Sequence, residues 1–134
     1  MKITADTNLL LRAILEDEPL QAREAQRLME RAELIAIPLS VLCEVVWTMR
    51  RLYKRSTNEI ADAVETILRV VTVVTERPAA EAGLAVLRGG GDFADGVIAW
   101  QGLALGGTVL ATFDKTAVRV LNSCGFFAAE PAGL

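Results

Sequence analysis

Short apolar runs alternate with stretches of helical periodicity along this chain, and this alternation limits its fold more than any other feature. The predicted strands are residues 2–5, 34–37, 73–74, 108–112 and 126–128. The predicted helices are residues 8–15, 20–32, 39–54, 78–87, 92–105 and 114–122, with one more opened by a capping box at 56–59. The helical period places Leu20 and Ala25 on one apolar face of the second helix, and Ile60 and Val71 on the buried face of the helix that the capping box opens. Strands separated by helices favour a parallel sheet with right-handed crossovers. We therefore predict an α/β chain with a three-layer α/β/α architecture and a central parallel sheet of four to five short strands.

Length and composition predict one globular domain. The chain has 134 residues, of which 52% are hydrophobic and 23% are charged. A chain of this size buries enough surface to fold without disulfides, and this composition excludes disorder. No repeat, linker or low-complexity segment divides it, so we predict a single domain over residues 1–134.

The sequence predicts a cytoplasmic protein that does not enter the membrane. Residues 2–5 lead directly into Asp6, so no secretory signal is expected there. Residues 96–113 carry no charge, but their glycines favour a helix, a turn and a buried strand over a membrane span. Cys43 and Cys124 match no metal or redox spacing, and we expect both to be small buried residues in a reducing compartment.

Four acidic residues are the candidate functional side chains. Asp6 follows the first predicted strand, Glu44 lies in the helix after the second, Asp95 begins the helix before the fourth, and Asp114 follows that strand. Sites in open parallel sheets form at the carboxyl ends of the strands, so we expect all four to face one crevice. The chain contains no histidine. Carboxylates without histidine favour a hard divalent cation such as Mg²⁺ or Mn²⁺.

Each acid also has an ordinary structural interpretation. Asp6 and Asp114 stand where helix N-caps are expected. Asp92 is the stronger cap candidate of the pair Asp92 and Asp95, and the helix dipole favours both charges. Glu44 falls on a polar helix face that solvent would cover.

The chain has a net charge of −3, so nucleic acid would need a local basic patch. The best candidates are Arg50, Arg51, Lys54 and Arg55, with Tyr53 among them. They could contact phosphates and stack a base, or they could be a basic helix end favoured by the dipole. Trp47 and Trp100 are expected in the core or in a dimer contact rather than as base platforms.

Four short motifs carry a resemblance to a known family. They are DTNLL at 6–10, SVLCEV at 40–45, GDFADGVIA at 91–99 and ATFDK at 111–115. In order and spacing they resemble the acidic motifs of PIN-domain ribonucleases, and most closely those of the VapC toxins of VapBC toxin–antitoxin pairs. The resemblance covers the whole chain. Gly96 departs from the pattern, since many relatives have alanine or a larger residue, and we expect it to loosen its helix slightly.

The resemblance implies roles for individual residues. The catalytic acids would be Asp6, Glu44, Asp95 and Asp114. Asp6 and Asp95 would be the principal Mg²⁺ ligands, with Glu44 and Asp114 binding directly or through water. The surrounding polar groups would be Thr7, Asn8, Asp92 and Thr112. Independently of the resemblance, the residues proposed to bind RNA are Ser40 and the basic residues Arg50, Arg51, Lys54 and Arg55.

The resemblance also implies a function. The chain would be an endoribonuclease, the toxin of a type II toxin–antitoxin system, that uses Mg²⁺ or Mn²⁺ and leaves 5′-phosphate and 3′-hydroxyl ends. A mechanism based on histidine is excluded by composition. Its partners would be RNA, a VapB-type antitoxin and a second copy of itself.

Two other interpretations remain open at this stage. The chain could be a noncatalytic PIN-fold module whose acidic crevice accepts a basic segment of a partner. It could also be a phosphatase of the haloacid dehalogenase type, but that chemistry usually requires aspartate where this chain has Asn8.

Overall fold

The computed structural model describes residues 1–134 and divides them into two compact units, residues 1–76 and residues 77–134. We call these the first unit and the second unit. Each has its own parallel strand pairing and its own helices. That residues 1–134 act as a single domain stays a prediction.

The first unit is a three-stranded parallel sheet with four helices. Its elements are β1 (Lys2–Thr4), α1 (Thr7–Leu15), α2 (Pro19–Arg31), β2 (Leu34–Ala36), α3 (Leu39–Arg51), α4 (Thr57–Arg69) and β3 (Val73–Val74). The strand order is β1-β2-β3, and Ile35 in the middle strand pairs with Ile3 on one side and Val73 on the other. Ile35 is fully buried, as expected for the central strand of a covered parallel sheet.

The helix boundaries of the first unit follow local capping chemistry. The predicted capping box before α4 is confirmed, since the Ser56 hydroxyl accepts the Glu59 N–H and the Glu59 carboxylate accepts the Ser56 N–H. Hydrogen bonding of the Glu59 carboxylate to Ser56, first of all to its backbone N–H, lowers the pKa of Glu59. The predicted extension of α3 to residue 54 is wrong, because the helix ends at Arg51 and Lys54 takes a left-handed conformation with φ of 54°.

Two apolar residues predicted to face the core are exposed. Val71 was expected to continue the buried face of α4, but the helix ends at Arg69 and the Val71 side chain is 96% exposed. Leu20, in the first turn of α2, is also exposed, whereas Ala25 of the same helix is buried. Both errors fall at helix ends, where the helical period no longer decides which way a side chain points.

The second unit consists of three helices and a two-stranded parallel pair. Its elements are α5 (Arg77–Arg88), α6 (Phe93–Ala104), β4 (Leu110–Ala111), α7 (Lys115–Ser123), β5 (Ala128–Ala129) and a final 3₁₀ turn (Pro131–Gly133). Leu110 pairs with Ala128. The predicted last strand, residues 126–128, is therefore two residues out of place at its start. One buried hydrophobic cluster of this unit comprises Val86, Ala99, Ala117, Val120, Leu121 and Ala128.

Helices α5 and α6 approach each other through glycine. A Cβ atom on Gly96 would lie 2.5 Å from the Ala82 carbonyl oxygen and 2.7 Å from the Gly83 Cα atom. A Cβ atom on Gly83 would in turn lie 2.8 Å from the Phe93 ring. The expectation that Gly96 merely loosens its helix is therefore wrong, because its missing side chain is what lets α6 pack against α5.

The α/β class, the parallel strands and their number are confirmed. Five short strands and seven α-helices alternate along the chain, with the strands hydrogen-bonded as three and two. Cys43 and Cys124 form no disulfide, and both are half-buried rather than fully buried as expected. None of the helices combines the length and the apolar character needed to cross a bilayer.

Candidate functional site

Asp6 and Glu44, the two candidate acids of the first unit, are linked through Thr7. Asp6 lies after β1, and its carboxylate accepts the Leu9 N–H at 2.8 Å, which caps α1. The adjacent Thr7 hydroxyl donates to the Glu44 carboxylate at 2.6 Å. The structure therefore places Glu44 of α3 beside the start of α1, within reach of the residue that follows Asp6.

A cavity of about 520 Å³ opens beside Asp6. Asn8, Arg12 and Glu24 are among its lining residues. The Arg12 Nε donates to Gln21 at 2.7 Å, and a hydrogen bond with Tyr53 is the chief cause of its raised pKa. Arg12 was missed in the sequence, where only its position one helical turn after Asn8 could have drawn attention to it.

The acids of the second unit also stand at helix starts. The Asp92 carboxylate accepts the Ala94 N–H at 3.3 Å and caps α6, while the Asp114 carboxylate accepts the Ala117 N–H at 3.0 Å and caps α7. The Thr112 hydroxyl accepts the Asp114 N–H at 3.1 Å. The cap interpretation is thus correct for Asp6, Asp92 and Asp114. These caps are compatible with metal binding by the same residues, because a carboxylate that accepts one N–H still has lone pairs for another ligand.

Asp95 differs from the caps in its electrostatic environment. It is half-buried in the first turn of α6. Burial raises the pKa of Asp95, and the negative charges of Asp92 and Asp114 raise it further. The second unit thus brings Asp92 and Asp114 close enough to Asp95 to oppose its ionisation. A group in this position gains from a nearby positive charge.

The donor chemistry of these residues fits a hard divalent cation. Their side chains offer carboxylate and hydroxyl oxygens, and the chain has no histidine nitrogen to offer instead. The pKa of Asp95 is raised by burial and then by the negative charges of Asp92 and Asp114, which a cation would offset. No group of three Asp, Glu or Cys side chains in the structure is arranged to hold a metal ion.

Two of the predicted RNA-binding residues make contacts within the chain. Arg50 donates to the Thr57 hydroxyl at 3.1 Å, and Arg55 pairs with Glu59 at 3.4 Å, so both are engaged at the start of α4. Arg51 and Lys54 are exposed and form no ion pair. Ser40 is exposed in the first turn of α3.

Trp47 was expected in the core or in a dimer contact, and the core interpretation is wrong. Its side chain is 58% exposed, on the same helix as Glu44. The spacing of three residues from Glu44 was the available signal, since it places both on one face of α3.

The fold and these residues define a class of protein. It is an α/β protein in which carboxylates that could bind a metal ion lie at the N-terminal ends of helices. The chain belongs to the PIN domain family, whose sequence pattern matches residues 3–121. The mixed helices and parallel strands are consistent with the three-layer α/β/α PIN fold. PIN domains are typically nucleases and generally use divalent metals, so nuclease-type activity is the activity class to which this chain belongs. No curated protein matches the chain.

Proposed function

We propose that this chain is a Mg²⁺-dependent endoribonuclease and the toxin of a type II toxin–antitoxin system of the VapBC kind. The observation that carries the proposal is Asp95, a half-buried carboxyl whose pKa is raised by burial and by Asp92 and Asp114. In a PIN domain, a carboxyl whose ionisation is opposed by two neighbouring acids favours a bound cation, because the cation offsets that negative charge.

The proposed catalytic acids are Asp6, Glu44, Asp95 and Asp114. Asp6 and Asp95 would hold Mg²⁺, or Mn²⁺ in its place, with Glu44 and Asp114 contributing directly or through water. The bound cation would supply Lewis acidity at the scissile phosphate and favour deprotonation of the attacking water.

Other residues would position these acids. The Thr7 hydroxyl fixes one Glu44 oxygen by donating to it, which leaves the other oxygen for a ligand. The Leu9 N–H holds one oxygen of Asp6 and the Ala117 N–H holds one oxygen of Asp114. Thr112 accepts the Asp114 N–H and so fixes the backbone from which that carboxylate extends. Each acid would then meet the substrate in a preset orientation, which reduces the entropy lost on reaching the transition state.

The test is cleavage of RNA by the purified protein with Mg²⁺ or Mn²⁺. We expect wild type to cleave, and we expect added EDTA to abolish cleavage. Asp95→Asn should reduce the rate by at least about a hundredfold, because loss of a metal ligand costs more than the 10- to 100-fold typical of groups that support one. Asp6→Asn should have a comparable effect.

The matched control is Glu81→Gln, which removes one exposed carboxylate from α5. It should cleave like wild type. Cleavage that survives EDTA, or that Asp95→Asn leaves intact, would contradict the proposal. If wild type were inert on both total RNA and structured tRNA yet bound a small basic partner tightly, the chain would instead be a noncatalytic binding module.

We further propose a VapB-type antitoxin as partner, with homodimers of this chain in the complex. The antitoxin would present a basic side chain to the acids and an amphipathic segment to a groove. An apolar cavity of about 470 Å³ in the first unit suits such a segment, with Ile14, Met29 and Ile67 among its lining residues. Recovery of a small partner on the tagged protein in its native host is expected.

A further inference from the structure

One exposed face of α3 combines an acid, an aromatic ring and a cation. Glu44, Trp47 and Arg51 are all exposed, and their spacing of three and four residues places them along one stripe of the helix. We call this stripe the α3 face. Along the axis, Trp47 lies about 4.5 Å beyond Glu44 and Arg51 about 6 Å beyond Trp47, at a rise of about 1.5 Å per residue.

The order of these groups matches a nucleic acid strand that leaves the candidate site. Glu44 is one of the proposed catalytic acids and is held by Thr7. The flat Trp47 side chain, 58% exposed, has a free surface for a base. Arg51 has no ion pair to give up, so its guanidinium can bind a phosphate. Stacking on an aromatic ring combined with a cation on the backbone is how single strands are commonly held.

The surroundings of Trp47 argue against a second copy of the chain as the occupant. It is the only exposed large hydrophobic residue of α3, and its exposed neighbours on that helix are Ser40, Glu44, Arg50 and Arg51. A stable protein interface needs an apolar centre that excludes charge. An isolated ring between an acid and two arginines suits a polar, charged ligand better.

We propose that Trp47 stacks a base of single-stranded RNA next to the scissile bond and that Arg51 binds the following phosphate. This inference rests on the proposed ribonuclease function and names Trp47 as a residue that positions its substrate.

The two tryptophans of the chain allow a direct optical test. In a Trp100→Phe variant, Trp47 is the sole reporter, and we expect its fluorescence to fall when a short single-stranded oligoadenylate binds. An Asp95→Asn background keeps the RNA intact during titration. Trp47→Phe, which leaves Trp100 as the sole reporter, is the matched control and should show little change. An oligonucleotide with abasic positions should quench Trp47 weakly, because it has no base to stack.

Binding by substituted proteins then separates stacking from apolar contact. Trp47→Leu keeps apolar surface but removes the ring, and we expect affinity to fall roughly tenfold or more. Trp47→Tyr should recover most of that loss. Arg51→Gln should weaken binding and reduce its dependence on salt, since one phosphate contact is lost.

Several outcomes would overturn the inference. Equal affinity of Trp47→Leu and wild type would do so, as would conversion of a dimer into a monomer by Trp47→Leu with RNA affinity unchanged, which would assign the ring to an interface between copies. The proposed function fails separately. If RNA quenched Trp47 but was never cleaved by the wild-type protein, the ribonuclease function would be refuted while base stacking on Trp47 would stand. If RNA was cleaved without quenching Trp47, only the stacking would be refuted.

Discussion

The two units treat their acids differently. In the first unit, the Glu44 carboxylate accepts a hydrogen bond from Thr7 and the Asp6 carboxylate accepts one from Leu9. In the second unit, burial raises the pKa of Asp95, and the neighbouring charges of Asp92 and Asp114 raise it further. Both candidate acids of the first unit therefore accept a hydrogen bond, while Asp95 of the second unit is half-buried beside other negative charges at a cost in folding free energy.

This difference indicates which carboxylate a bound cation would stabilise most. The Asp6 and Glu44 carboxylates each have a hydrogen-bond donor within the chain, so a metal ion would mainly orient them further. At Asp95, which is half-buried beside Asp92 and Asp114, a metal ion would also offset the neighbouring negative charge. We therefore expect Asp95 to respond to metal, to pH and to the packing that buries it.

The largest effect on stability is expected from the packing beneath Asp95. Gly96→Ala would drive a methyl group into the backbone of α5, so we expect the free energy of unfolding to fall by about 2 kcal/mol, an overpacking cost only partly offset by alanine's helix propensity. Urea denaturation measures this change. Gly102→Ala is the matched control in the same helix, because its Cβ would meet nothing within 4 Å. It should gain up to about 1 kcal/mol. Equal effects of both substitutions would refute the close approach.

The next effect comes from the proposed cation. Mg²⁺ at tenfold above its dissociation constant should raise the free energy of unfolding of wild type by about 1.4 kcal/mol, because it binds only the folded chain. Asp95→Asn should abolish this gain, while Glu81→Gln should retain it. Thermal unfolding with and without Mg²⁺ gives the comparison without any need for RNA. If Mg²⁺ stabilised Asp95→Asn as much as wild type, Asp95 would not be a ligand of the metal ion.

The smallest effects should have opposite signs in the two units. Asp95→Asn removes an opposed charge and should stabilise the chain at pH 7 by about 0.5–1 kcal/mol, a modest value because the group is only half-buried. Glu44→Gln weakens the hydrogen bond from Thr7 and should destabilise by a similar amount, about 0.5–1 kcal/mol.

The pH dependence of the Asp95 effect has a definite sign. Its folded pKa is raised above the ordinary value of 3.8, so the folded state binds more protons and loses stability as the pH rises through the raised pKa. The advantage of Asp95→Asn over wild type should therefore grow from about pH 3.8 upward and level off above the folded pKa. Urea midpoints of both proteins across this range measure it, and an advantage that shrinks with rising pH would contradict the assignment.

The sequence predicted the elements better than their ends. Periodicity located all seven helices, and the capping box at Ser56 marked the start of α4. It failed at Lys54 and Val71, where the backbone leaves the helix and side-chain direction depends on the turn that follows.

Individual roles at the candidate site depended on tertiary contacts that no local pattern encodes. The hydrogen bond between Thr7 and Glu44 joins residues 37 positions apart, and Gly96 owes its importance to a neighbour on α5. Trp47 was misplaced because an aromatic residue beside buried valines looks like core until the helix is oriented. The caps at Asp6, Asp92 and Asp114 were predictable, since capping is a local interaction.

The approach of α5 and α6 also restricts how this protein can change over evolutionary time. A larger residue at position 96 would meet backbone atoms of Ala82 and Gly83 rather than a side chain, so no shortening of a facing residue could make room for it. Position 83 is already glycine and is itself closed by Phe93. Core residues usually change through paired substitutions, in which one side chain becomes larger as its neighbour becomes smaller. Such paired substitutions are not possible at positions 83 and 96. Lineages that keep this helix pair can vary around it, and those that lose either glycine must rebuild the support beneath Asp95.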